Sequence, residues 1–379
     1  MDNKTTSYNF DDIRPLHDDE VSAAIDALIV SDGFHNAVNY ALPNVNWEAF
    51  TQKMRLCKTK EEFKSTFSYN TVMTIAKHSA FSLTISGRSR LPQKTSCTFI
   101  SNHRDILLDA AFLNVLLYDI GHGLTQVAIG DNLLIHPWIN LLVRINNSFI
   151  VKRDVPVRQM IDTSRTLSAY IHHTIKETKE SIWIAQREGR AKDSNDFTQN
   201  GVLKMLNMGG GTDDVLTNLM SLNIVPVAIS YEFDPCDYLK AQEFQLKRDN
   251  PDFVKSKRDD LLNMETGILQ NKGRVHFTIT SPVNPKLKAL DGKMEKNKLY
   301  SAIASVVDRE IYAHYRFYPC NYAAYDMLHQ TLRFRTNYDL RDKKLFEAYL
   351  QQQLDKIQIP DRDESFLRAK LLEMYSNPL

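Results

Sequence analysis

The sequence predicts an α/β protein: a mixed, mostly parallel sheet flanked by helices, with helical extensions at both ends. Three observations predict it. Seven short apolar runs rich in β-branched and aromatic residues lie between residues 81 and 280. Helix-period segments separate them, which is the alternation that builds a sheet covered by helices. Three of the runs end in clusters of polar and charged residues, and such sheets gather their ligands at the carboxyl ends of strands.

Residues 1–80 read as a mostly helical region, with EVSAAIDALI (20–29) and WEAFTQKM (47–54) as its clearest pieces. The opening MDNKTTSYNFDDIRPL lacks an apolar core and does not read as a signal peptide. Residues 81–288 hold the strands FSLTISG (81–87), SCTFIS (96–101), LTQVAIG (124–130), NSFIVKR (147–153), SIWIAQ (181–186), IVPVAIS (224–230) and RVHFTIT (274–280). Helices such as RQMIDTSRTLSAYIHHTIKE (158–177) fill the gaps, and MGGGTDD (208–214) reads as a helix stop followed by the next cap. Pro226 suits a strand entry or an edge. The charged, Pro-punctuated stretch 232–260 reads as a surface excursion, a lid or a docking segment for a donor. Residues 289–379 turn helical again. Leu299, Ile303, Val306, Val307 and Ile311 mark one apolar face, and Leu345, Tyr349, Leu350 and Leu354 another.

Composition excludes several classes. Lysine and arginine total 47 against 46 acidic residues, so nothing global calls for a nucleic-acid partner. Cys57, Cys97, Cys236 and Cys320 are far apart and form no C-x-x-C, as buried thiols in a reducing compartment would be; no metal site is expected. His172 and His173 read as surface residues. No run of ~20 apolar residues offers a spanning helix. The segment LLIHPWINLLV (133–143) has two readings: a helix packed on the body of the protein, the more ordinary one, or an interfacial element carrying Trp138.

The chemistry concentrates in SNHRDILLD (101–109). His103 follows Asn102 at the end of an apolar run, and Asp105 and Asp109 lead into the helix-like LLDAAFLNVLL. A base at a strand end with an acid to orient it activates hydroxyls. The chain has no G-x-S-x-G elbow and no phosphate loop of the G-x-x-x-x-G-K-[ST] type, so the nucleophile is expected to be the substrate's own hydroxyl. The ordinary reading is a helix start, with Asp105 capping a helix from Ile106 to about Tyr118. Three further segments bear on the choice. SFIVKRD (148–154) brings Lys152 and Arg153 to a strand end, a point charge beside a planar fork suited to phosphate. In QREGR (186–190), Gly189 allows close backbone approach, Arg190 offers an anion-binding fork, and Glu188 is placed to hold it. NIVPVAISYEF (223–233) is a buried-type strand.

These four segments, in this order, resemble the blocks of the glycerolipid acyltransferase superfamily, the glycerol-phosphate and lysophosphatidate acyltransferases. His103 with Asp109 resembles the first block, Phe149-Ile150 with Lys152-Arg153 the second, Glu188-Gly189-Arg190 the third and Pro226-Val227-Ile229-Tyr231 the fourth. The likeness covers roughly residues 82 to 285, and the whole chain is similar to the longer bacterial members. Two departures stand out. Five residues rather than four separate His103 from Asp109, so Leu108 occupies the family's aspartate position, and Arg190 follows Gly189 directly. On one continuous helix Asp109 would lie some 120° from His103. The two meet only if His103 sits in a non-helical lead-in, with Asp105 as the alternative partner.

The resemblance implies a glycerol-3-phosphate acyltransferase-like fold and direct transfer of a fatty acyl group to an alcohol. His103 would be the base and Asp109 its orienting acid. Lys152, Arg153 and Arg190 would bind the acceptor phosphate, in a pocket shaped by Glu188 and Gly189, and Arg104 would stand by. It further implies a glycerol-phosphate lipid acceptor, most directly 1-acylglycerol 3-phosphate, and acyl-CoA or acyl-carrier protein as co-substrate, with no cofactor. The expected location is cytoplasmic, peripheral on the inner face of the membrane. Two alternatives stay open: an O-acyltransferase for a lyso-aminolipid, and a catalytically inactive lipid-binding relative.

Overall fold

In the computed structural model, residues 8–379 are described apart from Leu124 and Asp154, and the side chain of Lys257 is left aside. Met1–Ser7 of the opening segment, Leu124 at the head of LTQVAIG and Asp154 at the foot of SFIVKRD therefore lie outside the described residues.

All seven expected strands form and join one sheet: β1 (Ser82–Ser86), β2 (Thr98–Ser101), β3 (Thr125–Gly130), β4 (Ser148–Val151), β5 (Ser181–Ala185), β6 (Ile224–Tyr231) and β7 (Arg274–Ile279). Their order is β1-β7-β6-β2-β5-β3-β4. Every pair is parallel except β6 with β7, so β1 and β7 run against the other five. The protein is an α/β fold with a mixed, mostly parallel sheet.

Alternation along the strands sends apolar side chains to both faces, as a sheet covered on two sides requires. Ile100, Ile182, Ile184, Ile224 and Ala228 face one cluster, completed by Leu167 and Ile171 of the helix Val157–His173 and by Leu203 and Leu206. Phe99, Trp183, Val225, Val227, Ile229 and Phe277 face the other, closed by the helix Leu108–Asp119 through Phe112, Leu113 and Leu116. The expected face Leu299, Ile303, Val306, Val307 and Ile311 is buried on the helix Lys296–His314 and belongs to the first of these clusters.

Two further clusters sit at the ends of the chain. Leu16, Val21, Ile25, Leu28, Phe34, Met54, Phe63 and Phe67 make the N-terminal one. Phe346, Leu350, Leu354, Leu367, Leu371 and Tyr375 make the C-terminal one. Leu345 is exposed, and its neighbour Phe346 takes the buried position instead. Burial pushes the Asp237 carboxyl up to about 7, although Tyr349 and Tyr375 both donate to it.

Several local readings need correction. Pro226, read as a strand entry or an edge, is the third residue of β6, a strand flanked on both sides, so the entry reading holds and the edge reading does not. Its carbonyl accepts from Thr280 N at 3.0 Å, on the side where the β7 ladder ends at Ile279, so its missing N–H faces the same end and costs no ladder bond. The stretch 232–260 is not a lid, because the helix Asp237–Asp249 buries Asp237, Lys240, Ala241 and Gln245. His172 is buried against the Leu206 carbonyl, at 2.9 Å, while His173 is exposed. As expected, the helix Asn200–Met208 stops at the glycines and Asp214 caps the next one by accepting from Thr217 N.

No helix among the described residues is long and apolar enough to cross a membrane. The segment around Trp138 forms the helix Pro137–Ile145 and is packed, the more ordinary of its two readings. Trp138, Leu141 and Leu142 lie against the N-terminal cluster, and the indole sits on Gly33 and 6.1 Å from the Phe34 ring. Trp138→Ala is accordingly expected to cost about 2–3 kcal/mol in urea unfolding, at or below the low end of the range for such truncations because the ring is only half-buried. An unchanged unfolding midpoint would show that the N-terminal helices do not rest on it.

Candidate active site

The loop between β2 and the helix Leu108–Asp119 wraps around one carboxylate. Asp109 Oδ2 accepts from His103 Nδ1 at 2.9 Å, from Arg104 N at 2.6 Å and from Asp105 N at 3.0 Å. Residues 102–107 are not helical, and this lead-in accommodates the extra residue between histidine and aspartate. Since a carboxylate can only accept, the proton of the pair sits on Nδ1, and in the neutral ring Nε2 keeps its lone pair. Among the described residues nothing hydrogen-bonds to Nε2, and the imidazole keeps 13% of its surface while Asp109 keeps none.

The surroundings hold the ring in place. Trp183 meets it edge to face with centroids 5.8 Å apart, and the indole N–H donates to Ser101 Oγ. Asn102, just before His103, donates to the Ile229 carbonyl and accepts from the Ile229 N–H, both at 2.8 Å. This double bond to β6 fixes where β2 ends.

Asp105 occupies a different role from Asp109. Its Oδ1 accepts from Leu107 N at 2.9 Å and Leu108 N at 2.8 Å, which caps the helix. Burial, and then the nearby Asp109 charge, raise its carboxyl above the usual range. Lys272 is the opposing charge, itself lowered to about 8 by burial.

The expected anion-binding residues are only partly brought together. Lys152 and Arg153, adjacent in extended chain, point opposite ways. Lys152 pairs with Asp12 at 3.0 Å and lines a surface cavity of about 330 Å³ with Ile13, Ile150 and Leu167, away from His103. It is separated from the rest of the set. Arg153 lies over Gly130, its backbone N–H donating to Asp131, and its guanidinium stands 3.7 Å from Glu188. Glu188 thus reaches Arg153 rather than Arg190. Arg190 turns inward instead, donating through Nη2 to Asn263 at 3.0 Å, while its buried Nη1 has no partner among the described residues. Gly189 serves a backbone need: its φ is +67°, and nothing lies within 4 Å of where a Cβ would stand.

Arg104 is a brace. Its buried guanidinium bonds Ser194, faces Asp196 at 3.7 Å and lies 5.6 Å from the centre of the Tyr315 ring. The loop after β5 is in turn tied to distant chain. Thr198 donates twice to Asp308, Tyr312 bonds the Asp196 carbonyl, and Asn377 bonds the Asp193 carbonyl. Sequence reading missed Asn102, Asp196, Asn263 and Tyr312. Only Asn102, by its place beside His103, carried a hint.

An imidazole bonded to a buried carboxylate at the carboxyl end of a central strand, with Arg190 on the next loop, is an arrangement that can activate a hydroxyl. Residues 82–230 match the Acyltransferase family model, a span that contains His103, Asp109, Arg153 and Arg190. This segment is similar to the acyltransferases. No curated protein matches the chain. Among solved structures, the 1-acyl-sn-glycerophosphate acyltransferase PlsC of Thermotoga maritima aligns with 78% of this chain and 95% of that chain. Identity is 15% and the TM-score 0.35, a distant likeness only.

The two aspartates separate by experiment. Asp105→Ala is expected to lower stability by about 1–2 kcal/mol through the lost cap, while the His103–Asp109 contact persists. Chemical unfolding with imidazole nitrogen shifts reads both, and a disturbed imidazole at unchanged stability would assign Asp105 to the pair instead.

Proposed function

We propose that the protein transfers a fatty acyl group from an acyl thioester to a hydroxyl of a glycerol-phosphate lipid precursor, most directly 1-acylglycerol 3-phosphate, with His103 as general base. The observation that carries this reading is the free Nε2 of an imidazole whose Nδ1 is held by Asp109. Nε2 takes the proton of the acceptor hydroxyl as its oxygen attacks the thioester carbonyl. The tetrahedral oxyanion collapses, the C–S bond breaks, and the imidazolium returns the proton to the leaving thiolate. Asp109 keeps the tautomer and stabilises the imidazolium.

Arg190, on the loop after the neighbouring strand β5, and Arg153, after the edge strand β4 and beside Glu188, are the groups for the acceptor phosphate. Arg190 supports this role through its unpartnered Nη1, a donor already desolvated and held at Nη2 by Asn263. The donor is acyl-CoA or acyl-carrier protein, and the acceptor is drawn from a membrane surface on which the protein acts peripherally. No step draws on a further cofactor.

His103→Ala is expected to lose ~10²–10⁴-fold in kcat with an intact fold. Arg190→Lys is expected to raise the acceptor KM because lysine cannot form the planar fork, with donor KM nearly steady. Purified protein assayed on 1-acylglycerol 3-phosphate, glycerol 3-phosphate and a lyso-aminolipid, with both donors, reads all of this. Turnover of the lyso-aminolipid alone would replace the phosphate by a carboxylate as the partner of the arginines. A rise in donor KM would move them to the carrier's phosphates.

A further inference from the structure

All three hydrogen bonds to the Asp109 carboxylate fall on Oδ2; Oδ1 is buried and has no partner among the described residues. The hydroxyl of Tyr231 is likewise buried and without a partner. Tyr231 closes β6 and projects to the same side as Val225, Val227 and Ile229, into the cluster that contains Leu108, the residue before Asp109. The Asn102 clamp holds Ile229, two residues earlier on the same face, against the residue preceding His103. Two unmatched polar atoms of complementary type thus lie on facing elements, and a buried anionic oxygen gains most from a donor.

We infer that Tyr231 is a positioning residue for acyl transfer: its hydroxyl donates to Asp109 Oδ1 and so completes the support of the carboxylate that orients His103. The inference rests on the reading of His103 as base and goes beyond it, because the hydrogen bond of the histidine goes to Asp109 and not to Tyr231. The charged groups around the pair are consistent with it. Burial and then the Asp109 charge hold the phenol well above its ordinary range, so it is a donor at every working pH. Asp105 and Asp234 are the other acids facing it. Arg104 is the cation on the Asp109 side, where the His103 imidazole also bonds the carboxylate, while Lys272 and Arg190 face Asp105.

The test is Tyr231→Phe, which keeps the ring and removes only the hydroxyl. The expected loss is about 10-fold to 100-fold in kcat, the worth of one hydrogen bond to a charged group, with both KM values steady. A buried carboxylate oxygen without its donor favours the neutral acid, and the bare charge also holds the imidazolium proton more tightly. Both effects move the acid limb of kcat/KM to higher pH, which lost packing alone does not do. Combined with Asp109→Asn, the change is expected to add nothing further, since Tyr231 acts through that carboxylate. An unchanged kcat and acid limb, or full additivity with Asp109→Asn, overturns the inference.

The His103 imidazole titration followed by NMR separates this inference from the proposed activity. If the wild-type protein transfers no acyl group, the functional reading fails. A His103 titration that still moves to higher pH in Tyr231→Phe then upholds the positioning contact, and one that stays in place overturns it.

Discussion

Everything around the site depends on one carboxylate oxygen. Asp109 Oδ2 takes three donors, two of them backbone amides of the loop that carries His103. A buried carboxylate must be met by donors, and here the donors come from the chain it has to shape. The aspartate therefore folds the loop and aims the imidazole with the same atom. Asn102, bonded to both polar groups of Ile229, sets the start of that loop against β6. The position of the histidine is a consequence of sheet register, which is more rigid than any loop.

The distal chain matters for the same reason. The loop after β5 carries Glu188, Gly189 and Arg190, yet its ties run to Asp308 and Tyr312 on the helix Lys296–His314 and to Asn377 near the end. Arg104 joins the two loops by reaching Ser194 and Asp196 and packing on Tyr315. A helix that shares the sheet's apolar cluster thus also braces the arginine loop. Removing chain beyond residue 288 would take the helix and the brace together.

The strands were legible because alternation reports on both faces at once. Ile182, Trp183 and Ile184 could only be a buried strand, and they are. That His103 meets Asp109 was implied by the family resemblance, with Asp105 left as the alternative, and the non-helical lead-in is what lets the two meet. What alternation hides is direction. Lys152 and Arg153 read as one basic pair, but successive residues of extended chain face opposite ways and only Arg153 turns toward Glu188. Arg104 was unreadable because its partners, Ser194, Asp196 and Tyr315, lie 90 residues or more away in sequence. Trp138 left a packed and an interfacial reading open because no sequence rule shows that Gly33 leaves a flat place for it. Pro226 left entry and edge open, and only the neighbouring ladder, which stops one residue short of it, separates the two.

The central claim is that Asp109 holds the His103 imidazole with its proton on Nδ1 and its lone pair on Nε2. Nitrogen NMR of histidine-labelled protein measures this directly, with His103→Gln assigning the resonance. The account predicts the Nδ1–H tautomer at neutral pH, with a deshielded proton that disappears in Asp109→Asn. An Nε2–H tautomer, or a ring whose resonance is indifferent to Asp109→Asn, would contradict it.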